Sequence, residues 1–207
     1  MSVLSGTKIF EEVKNGNISI DPYDVNRINP NSYNLRLGNK LLVYKSPDYE
    51  SNPALRERIR RIPKVGRYIP SYKEIILDSH APNLTDEYII GEEGFLLQPG
   101  ILYLGTTMEK VYTDRYVPIL NGRSSTGRLS MTVHITAGFG DVGFDGKWTL
   151  EITVTHNLIV YPHDEILQIV FETVEGDTSY QYNGRYNHQE DVTASRFYQE
   201  KQGIFIP

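Results

Sequence analysis

The hydrophobic positions follow two different periods along the chain. In residues 5–14, Ile9, Phe10 and Val13 recur at helical spacing and the Asn15-Gly16 pair ends the pattern, which predicts a short amphipathic helix. Downstream, short runs rich in β-branched and aromatic residues are separated by Pro-Gly, Asn-Gly and Asp-Gly pairs; they are NISI, YNLRL, KLLVY, FLLQPGILYLGTT, MTVHITAGF, KWTLEITVT and ILQIVFETV. The sequence therefore predicts a mainly β fold, an antiparallel sandwich, jelly roll or distorted barrel, with a short N-terminal helix.

Composition narrows the classes of protein and partner. The 207 residues suit a single domain with a sizeable core, and the net charge of −5 excludes a general basic field for nucleic acid or an anionic membrane. The absence of cysteine excludes disulfides and thiolate metal sites and fits a reducing compartment. The sequence contains neither a signal-peptide core nor a run near the ~18 apolar residues of a membrane span. We therefore expect a cytoplasmic protein without nucleic-acid or membrane partners.

Two polar segments each allow two interpretations. Within residues 46–87, the stretch ALRERIRRIPKVGRY is either a phosphate or nucleic-acid contact or a solvated surface helix that ends at Pro63 and carries a Glu57–Arg61 pair. Acidic residues dilute its charge, which favours the surface helix; its cations are Arg56, Arg58, Arg60, Arg61, Lys64 and Arg67. The tail YQYNGRYNHQEDVTASRFYQEKQGIFIP is either a frayed terminus or a lid that orders over a ligand.

The stretch NGRSSTGR, residues 121–128, concentrates groups that bind anions. Arg123, Ser124, Ser125 and Gly127 offer guanidinium, hydroxyl and accessible backbone N–H donors, a mixture suited to a polyphosphate, although the GxxxxGK[ST] phosphate loop is absent. The same residues also suit a turn whose serines cap a short helix. Composition by itself leaves both interpretations open.

Two carboxylates outside this stretch are candidates for chemistry. Glu151 lies in the apolar strand KWTLE, where it either faces solvent or faces inward as a general acid/base. Asp141 lies in GDVGFDG, where a turn is its simplest role. The five histidines form neither HxxxH nor HExxH, and a chain without cysteine cannot build the zinc site of the base deaminases. Any deamination by this chain would therefore activate water without zinc.

Taken together, the motifs GRSS-x-x-RL, TAGF, D-x-G-[FW]-x-G and TLE carry a family resemblance. They occur in GRSSTGRLSMTVHITAGFGDVGFDGKWTLEI, which follows LSGTKIFEEVKNGNISIDPYD, INPNSYNLRLGN and LQPGILYLGTTMEKV and precedes YNGRYNHQEDVTASRFY. In these motifs and their order the chain resembles the dCTP deaminases, trimeric relatives of the dUTPases. The resemblance implies one dUTPase-like domain over residues 1–207, a chain-specific elaboration at 46–90, and a C-terminal lid and tail at 178–207.

The resemblance implies catalytic roles by position. Glu151 matches the general acid/base, and Ser124 and Arg128 match the pair that completes the site and helps hold the attacking water. Ala137 matches the residue whose carbonyl fixes that water, and Asp141 matches the aspartate beside the deoxyribose, which aligns a water in dUTPases. The matching nucleotide-binding positions are Arg123, Ser125, Thr126, Gly127, Phe144, Thr149, Leu150, Gln168, Tyr182, Arg185 and Gln189.

The implied reaction is zinc-independent hydrolytic deamination of dCTP at cytosine C4, followed by release of dUTP or by cleavage to dUMP and diphosphate. The Gly138-Phe139 pair after TA is typical of dUMP-forming members and favours the second outcome. A plain dUTPase, or a non-catalytic regulatory module on the same fold, is disfavoured because Ser124, Arg128 and Glu151 are all present. The resemblance also implies a homotrimer with sites at subunit interfaces, and Mg²⁺ bound through the triphosphate rather than by protein side chains.

Three positions depart from the family pattern. Asn34 stands where aspartate is usual, Gly140 replaces an aliphatic residue, and Asp191 replaces a lid glycine. Asp191 brings a negative charge to the segment expected near the phosphates, so it bears on how tightly a lid would close.

Overall fold

The computed structural model describes residues 2–45 and 75–201, together with Ala54, Glu57, Arg58 and Arg61 between them. Glu57 Oε1 and Arg61 Nε lie 3.0 Å apart and both side chains are exposed, so the predicted i,i+4 pair is confirmed. The rest of the predicted basic stretch, Arg56, Arg60, Lys64, Arg67 and the terminating Pro63, lies outside the described residues.

The helix predicted at the N-terminus is α1 (Gly6–Lys14). Ser5 caps its start, where Oγ accepts a hydrogen bond from Lys8 N at 3.2 Å. Its buried face differs from the predicted one in that Phe10 is 42% exposed while Glu12 is buried. Glu12 is tolerated there because Lys8 Nζ lies 2.8 Å from Oε1 and Asn17 Nδ2 donates to Oε2 at 2.7 Å.

Antiparallel strands form most of the remaining structure. In chain order they are β1 (Ile18–Asp21), β2 (Ile28–Asn29), β3 (Ser32–Arg36), β4 (Lys40–Tyr44), β5 (Thr85–Ile89), β6 (Phe95–Leu97), β7 (Tyr103–Thr113), β8 (Tyr116–Gly122), β9 (Met131–Thr132), β10 (Asp145–Val154), β11 (Leu158–Val160) and β12 (Glu165–Thr173). A 3-10 turn (Val25–Arg27) precedes β2, and two further short helices are α2 (Ser124–Arg128) and α3 (Tyr198–Lys201).

The strands assemble into two larger sheets and one small one. The first has the order β5-β4-β7-β10-β9 with β1 also paired to β7, the second has the order β2-β3-β12-β8, and β6 pairs with β11. A single large hydrophobic cluster takes side chains from both larger sheets, including Leu150 and Ile152 of β10 and Ile169 and Phe171 of β12. The mainly β fold with an N-terminal helix is thus confirmed.

One predicted strand is much shorter than expected, and four described strands, β2, β5, β8 and β11, were not predicted. MTVHITAGF continues as β9 only over Met131–Thr132, because the N–H groups of Ile135 and Thr136 then bond the Glu151 carboxylate instead of a neighbouring strand. Strand β8 was not predicted because it contains Pro118. Proline is tolerated there because β8 is the edge strand of its sheet.

The two faces of β10 decide where chemistry can occur. Its side chains alternate, so that Trp148, Leu150 and Ile152 point into the core while Thr149 and Glu151 lie on the outward face. Next to that outward face a second hydrophobic cluster joins strands β4 and β7 to the C-terminal segment; its members are Tyr44, Leu104 and Val192, with Leu42, Leu102 and Ala194 packed against them. The C-terminal segment, residues 180–201, therefore covers the sheet beside Glu151.

Candidate active site

A cavity of about 480 Å³ lies against the outward face of β10. Its walls come from the outward faces of β7 and β10, from the loop over residues 135–141, and from the C-terminal segment. Among the predicted site residues it gathers Ala137, Phe139, Asp141, Phe144, Thr149, Glu151, Tyr182 and Gln189. Groups predicted for acid/base chemistry and for nucleotide binding thus share one concave site, as a small-molecule site requires.

Glu151 is oriented in this cavity by the backbone of the loop. Its Oε2 accepts hydrogen bonds from Ile135 N at 2.7 Å and from Thr136 N at 3.0 Å. Glu151 N in turn donates to the carbonyl of Val133 at 3.1 Å, which ties the loop to β10. No described residue bonds the other carboxylate oxygen, Oε1. Glu151 is therefore held in one orientation with one oxygen available to exchange a proton.

Gly138 allows the loop to pack closely against the second sheet. A Cβ added there would lie 2.8 Å from the carbonyl oxygen of Leu120 and 2.9 Å from the ring of His134. Leu120 N also donates to the carbonyl of Gly138 at 2.7 Å. The space beside Gly138 is thus filled by neighbouring atoms, so this glycine permits close contact rather than leaving an open volume.

Gly140 departs from the family pattern for a reason that the structure shows. A Cβ at this position would lie 2.2 Å from the ring of Trp148 and 2.8 Å from the carbonyl oxygen of Pro118. Trp148 thus occupies the volume that a larger residue at position 140 would need. The large Trp148 on β10 and the small Gly140 in the loop therefore pack together as a matched pair. The Trp148 ring also packs against Phe144, with 5.0 Å between the ring centroids.

The C-terminal segment is anchored over the cavity by hydrogen bonds to β10 and the preceding turn. Gln189 Nε2 donates to the carbonyl of Lys147 at 2.5 Å, and Thr193 N donates to Thr149 Oγ1 at 3.2 Å. Tyr182 N donates to the carbonyl of Val142 at 2.8 Å. Burial raises the pKa of the Tyr182 phenol above its usual value, which is itself well above neutral pH, so this hydroxyl is protonated and able to donate.

Asp191 does not carry an uncompensated charge. Its Oδ2 lies 2.6 Å from Lys40 Nζ, and Glu87 Oε2 lies 3.3 Å from the same nitrogen. Asp191 Oδ1 also accepts from Val192 N at 2.7 Å. The residue that replaces the lid glycine therefore fastens the segment to β4.

A second group of predicted residues lies outside the cavity, on α2. Ser124, Ser125, Gly127 and Arg128 are exposed there and do not line its walls. The short helix considered for this stretch is confirmed, but its N-cap residue is Arg123 and not a serine. Within one chain, the predicted acid/base Glu151 and the predicted donors Ser124 and Arg128 are thus not brought into one cavity.

Arg123 and Gln168 lie beside α2 on the second sheet. Arg123 Nη1 donates to the carbonyl of Glu165 at 2.6 Å and to its Oε2 at 3.1 Å. Gln168 Nε2 donates to the carbonyl of Gly122 at 3.2 Å, and its Oε1 accepts from Ser32 Oγ at 2.8 Å. These two predicted binding residues belong to the group around α2 rather than to the cavity.

Three further predicted binding residues have their side chains engaged elsewhere. Thr126 is buried and its hydroxyl bonds the carbonyls of Arg123 and Ile166, while Leu150 is fully buried in the core. Any nucleotide contact from these two residues would have to come from the backbone. Arg185 Nη1 pairs with Glu200 Oε1 at 2.5 Å and does not line the cavity.

Several described residues that line the cavity were not predicted as site residues: Tyr44, Leu77, Leu102, Leu104, Ile135, Thr136, Gly140, Trp148, Tyr186, Thr193 and Ser195. Tyr44 and Trp148 are strand aromatics whose alternation predicts burial and nothing more. Leu77 comes from the chain-specific elaboration, is 48% exposed, and stands in no motif. No local sequence pattern indicates its position in the wall.

Metal and membrane features were searched over the described part of the chain. No group of three or more His, Asp or Glu side chains that could hold a metal ion comes together within residues 2–45 and 75–201. None of the helices within those ranges has the length and apolar character needed to cross a membrane.

The chain is similar to known proteins over almost its whole length. Residues 3–174 match the family model described as dCTP deaminase-like. Proteins named "dCTP deaminase, dUMP-forming" from Leptospira biflexa and Cytophaga hutchinsonii are 44% and 43% identical over 198 residues, which is 96% of this chain and 97% and 98% of theirs. The same name is carried by a Clostridium botulinum protein with 41% identity, 96% of this chain and 98% of the relative being covered.

A solved structure supports the fold. The crystal structure of 2'-deoxycytidine 5'-triphosphate deaminase from Agrobacterium tumefaciens matches 83% of this chain with a TM-score of 0.57 and 20% sequence identity. The match spans 48% of that longer chain. Together with the mainly β topology, this likeness confirms the predicted dUTPase-like fold.

Proposed function

The chain belongs to the dCTP deaminase-like family, and on that premise we propose that it deaminates dCTP and converts the product to dUMP and diphosphate. The observation that carries the proposal is Glu151, held by the N–H groups of Ile135 and Thr136 in a cavity shared with Asp141 and Phe144. The names of the curated relatives support the two-step outcome, and their similarity extends over nearly their full length.

Glu151 acts as the general acid/base of the deamination. Its Oε1 takes a proton from water as the water oxygen adds to C4 of cytosine, and the proton passes to N3. The exocyclic amine then receives a proton and leaves as ammonia while the C4 carbonyl forms, so that dCTP and water give dUTP and ammonia. Ala137 and Phe144 both line the cavity. In the proposed reaction the Ala137 carbonyl holds the attacking water, and Phe144 packs beneath the deoxyribose.

Ser124 and Arg128 reach this cavity from a neighbouring subunit. Both are exposed on α2 and lie outside the walls of the cavity of their own chain. In a homotrimer with cyclic symmetry, the α2 surface of one subunit can face the cavity of the next, so that each interface forms one complete site. There the hydroxyl and guanidinium donors stabilise the charge that develops during addition, a role a metal would otherwise fill.

The second step uses Asp141 and the neighbouring Phe139. Asp141 lines the cavity and orients a water for in-line attack on the α-phosphorus, forming an oxygen–phosphorus bond as the bond to the leaving diphosphate breaks. Phe139 is 65% exposed and forms an apolar wall for that water. Since the volume beside Gly138 is filled, the space for the water must lie on the side of Phe139 and Asp141.

The triphosphate is bound by the second group together with Mg²⁺. Arg123, Ser125 and Gly127 supply guanidinium, hydroxyl and backbone donors around α2, which fits phosphate oxygens that also carry a hard divalent cation. When bound, Mg²⁺ would offset phosphate charge; the chain's own part is to hold and orient the phosphates. A cytoplasmic location, consistent with a chain without cysteine, would give access to this nucleotide.

Product chromatography tests the proposed function. The wild-type protein is incubated with dCTP and Mg²⁺, and ammonia, dUTP, dUMP and diphosphate are quantified. We expect ammonia and dUMP in equal amounts with little free dUTP. No ammonia would overturn the deaminase proposal, whereas dUTP as sole product, with added dUTP left intact, would overturn only the second step.

A further inference from the structure

Glu165, the first residue of β12, is the centre of a polar cluster beside α2. Its Oε2 accepts from Arg123 Nη1 at 3.1 Å and from Asn34 Nδ2 at 2.8 Å. Its Oε1 accepts from Arg27 Nε at 3.2 Å, and its backbone carbonyl accepts a second bond from Arg123 Nη1 at 2.6 Å. The Glu165 side chain is 33% exposed, so three donors from separate elements converge on a partly shielded carboxylate.

The same cluster accounts for the departure from the family pattern at position 34. The Asn34 amide uses both ends, since Nδ2 donates to Glu165 and Oδ1 accepts from Asn29 Nδ2 at 2.7 Å. An aspartate in this place has no N–H to donate and would set a second carboxylate at hydrogen-bonding distance from Glu165. Asn34 and Glu165 are therefore a matched donor and acceptor.

Of the three guanidinium nitrogens of Arg123, described residues bond only Nη1. Nη1 makes both bonds to Glu165, and no described residue bonds Nε or Nη2. The remaining edge of the fork is therefore available for a bidentate contact with phosphate. The side chain is 31% exposed, and without Glu165 its long stem would have to be ordered when the ligand binds, which weakens binding.

We propose that Glu165 is a positioning residue for triphosphate binding, which acts by holding Arg123 so that its free edge meets the phosphates. The inference rests on the proposed function, in which Arg123 binds the triphosphate. Glu165 does not line the cavity that contains Glu151, so we expect its removal to weaken binding of the phosphates and to leave the deamination step itself largely intact.

Two substitutions at Glu165 test this inference. Glu165→Gln keeps the size of the side chain and a bond to Asn34 but removes the charge that holds Arg123. Glu165→Ala removes the bond to Asn34 as well as the charge. We expect the KM for dCTP to rise about fivefold in the first and about tenfold in the second, with kcat changed less than about twofold. The inhibition constant of inorganic diphosphate should rise in parallel. Glu172→Ala, on the same strand and away from Arg123, is the matched control and should change neither quantity.

Three outcomes would contradict the inference. Unchanged KM and unchanged diphosphate inhibition in Glu165→Ala would show that Arg123 needs no such support. A lower KM would show that Glu165 competes with the phosphates for Arg123. A fall in kcat and Tm for Glu165→Gln equal to that of Glu165→Ala would show a role in folding alone. An inactive wild-type protein would count against the proposed function instead, and calorimetric titration with diphosphate would still test Glu165.

Discussion

The cavity around Glu151 and the surface of α2 differ in how far a single chain completes them. Around Glu151, the loop, the outward face of β10 and the C-terminal segment close three sides, and the Glu151 carboxylate is already held by two N–H donors. On α2, Ser124, Ser125 and Arg128 extend into solvent and bond no described side chain. A cavity that lacks the proposed donors, and donors that lie outside any described cavity, are what the proposed site at a subunit interface would leave on each subunit.

The largest expected effect comes from the cavity side of this comparison. Glu151→Gln keeps the shape of the side chain and can still accept from Ile135 N and Thr136 N, but it cannot exchange a proton. We expect ammonia release to fall by about 10²–10⁴-fold while calorimetry shows dCTP binding close to that of the wild type. Glu172→Gln, a strand glutamate outside the cavity, serves as the control. Near-normal deamination by Glu151→Gln would remove Glu151 from its role.

The choice between dUTP and dUMP as the product tests the role proposed for Phe139. Replacing both Gly138 and Phe139 is a poor test, because any side chain at position 138 would collide with the carbonyl oxygen of Leu120 and displace the loop. Phe139→Arg alone keeps the loop and puts a long cation beside Asp141, where it would displace the second water. We expect dUTP to become the main product while deamination is largely retained.

Tyr180→Arg is the control for that exchange, since Tyr180 is 96% exposed and does not line the cavity. A Phe139→Arg variant that still forms dUMP as efficiently as the wild type would show that Phe139 has no part in placing the water.

The smallest expected effect concerns the fastening of the C-terminal segment. Asp191 raises the pKa of Lys40, with a smaller contribution from Glu87, so the pair contributes stability below the unfolded pKa of Lys40 and loses it as the pH rises through the folded value. Between about pH 6 and 9, the contribution of this ion pair to stability should therefore be constant. Asp191→Asn should raise the KM for dCTP about two- to threefold at low salt and less at high salt.

Kinetics at two ionic strengths check this prediction. A lower KM in Asp191→Asn would mean that the charge of Asp191 opposes the triphosphate more than it holds the segment.

Local patterns predicted the fold better than they predicted the site. Alternation on β10 identified the strand, yet it could not say whether Glu151 faces solvent, because that depends on the C-terminal segment and on a loop that bends away from β9. The bend in turn depends on the close approach of Gly138 to Leu120, a contact between residues of different elements. The roles predicted for Ser124 and Arg128 came from the family resemblance. The place of Leu77 in the cavity wall and the contact of Glu165 with Arg123 depend on tertiary structure, which no local pattern indicates.

Mixing two inactive variants tests most directly whether the site is shared between subunits. Glu151→Gln and Arg128→Ala are each expected to be inactive by themselves, for lack of the proton carrier and of the stabilising cation. In mixed trimers, a subunit with intact Glu151 can adjoin one with intact Arg128. Random assembly gives such a pairing at about one interface in four.

The control mixes Ser124→Ala with Arg128→Ala. Both positions lie on the same helix, so no mixed interface regains both donors and the mixture should stay inactive. Differently tagged subunits confirm that mixed trimers form. The account predicts that Glu151→Gln with Arg128→Ala recovers about a quarter of the wild-type rate of ammonia release, whereas no recovery in verified mixed trimers would show that each site is built within one subunit.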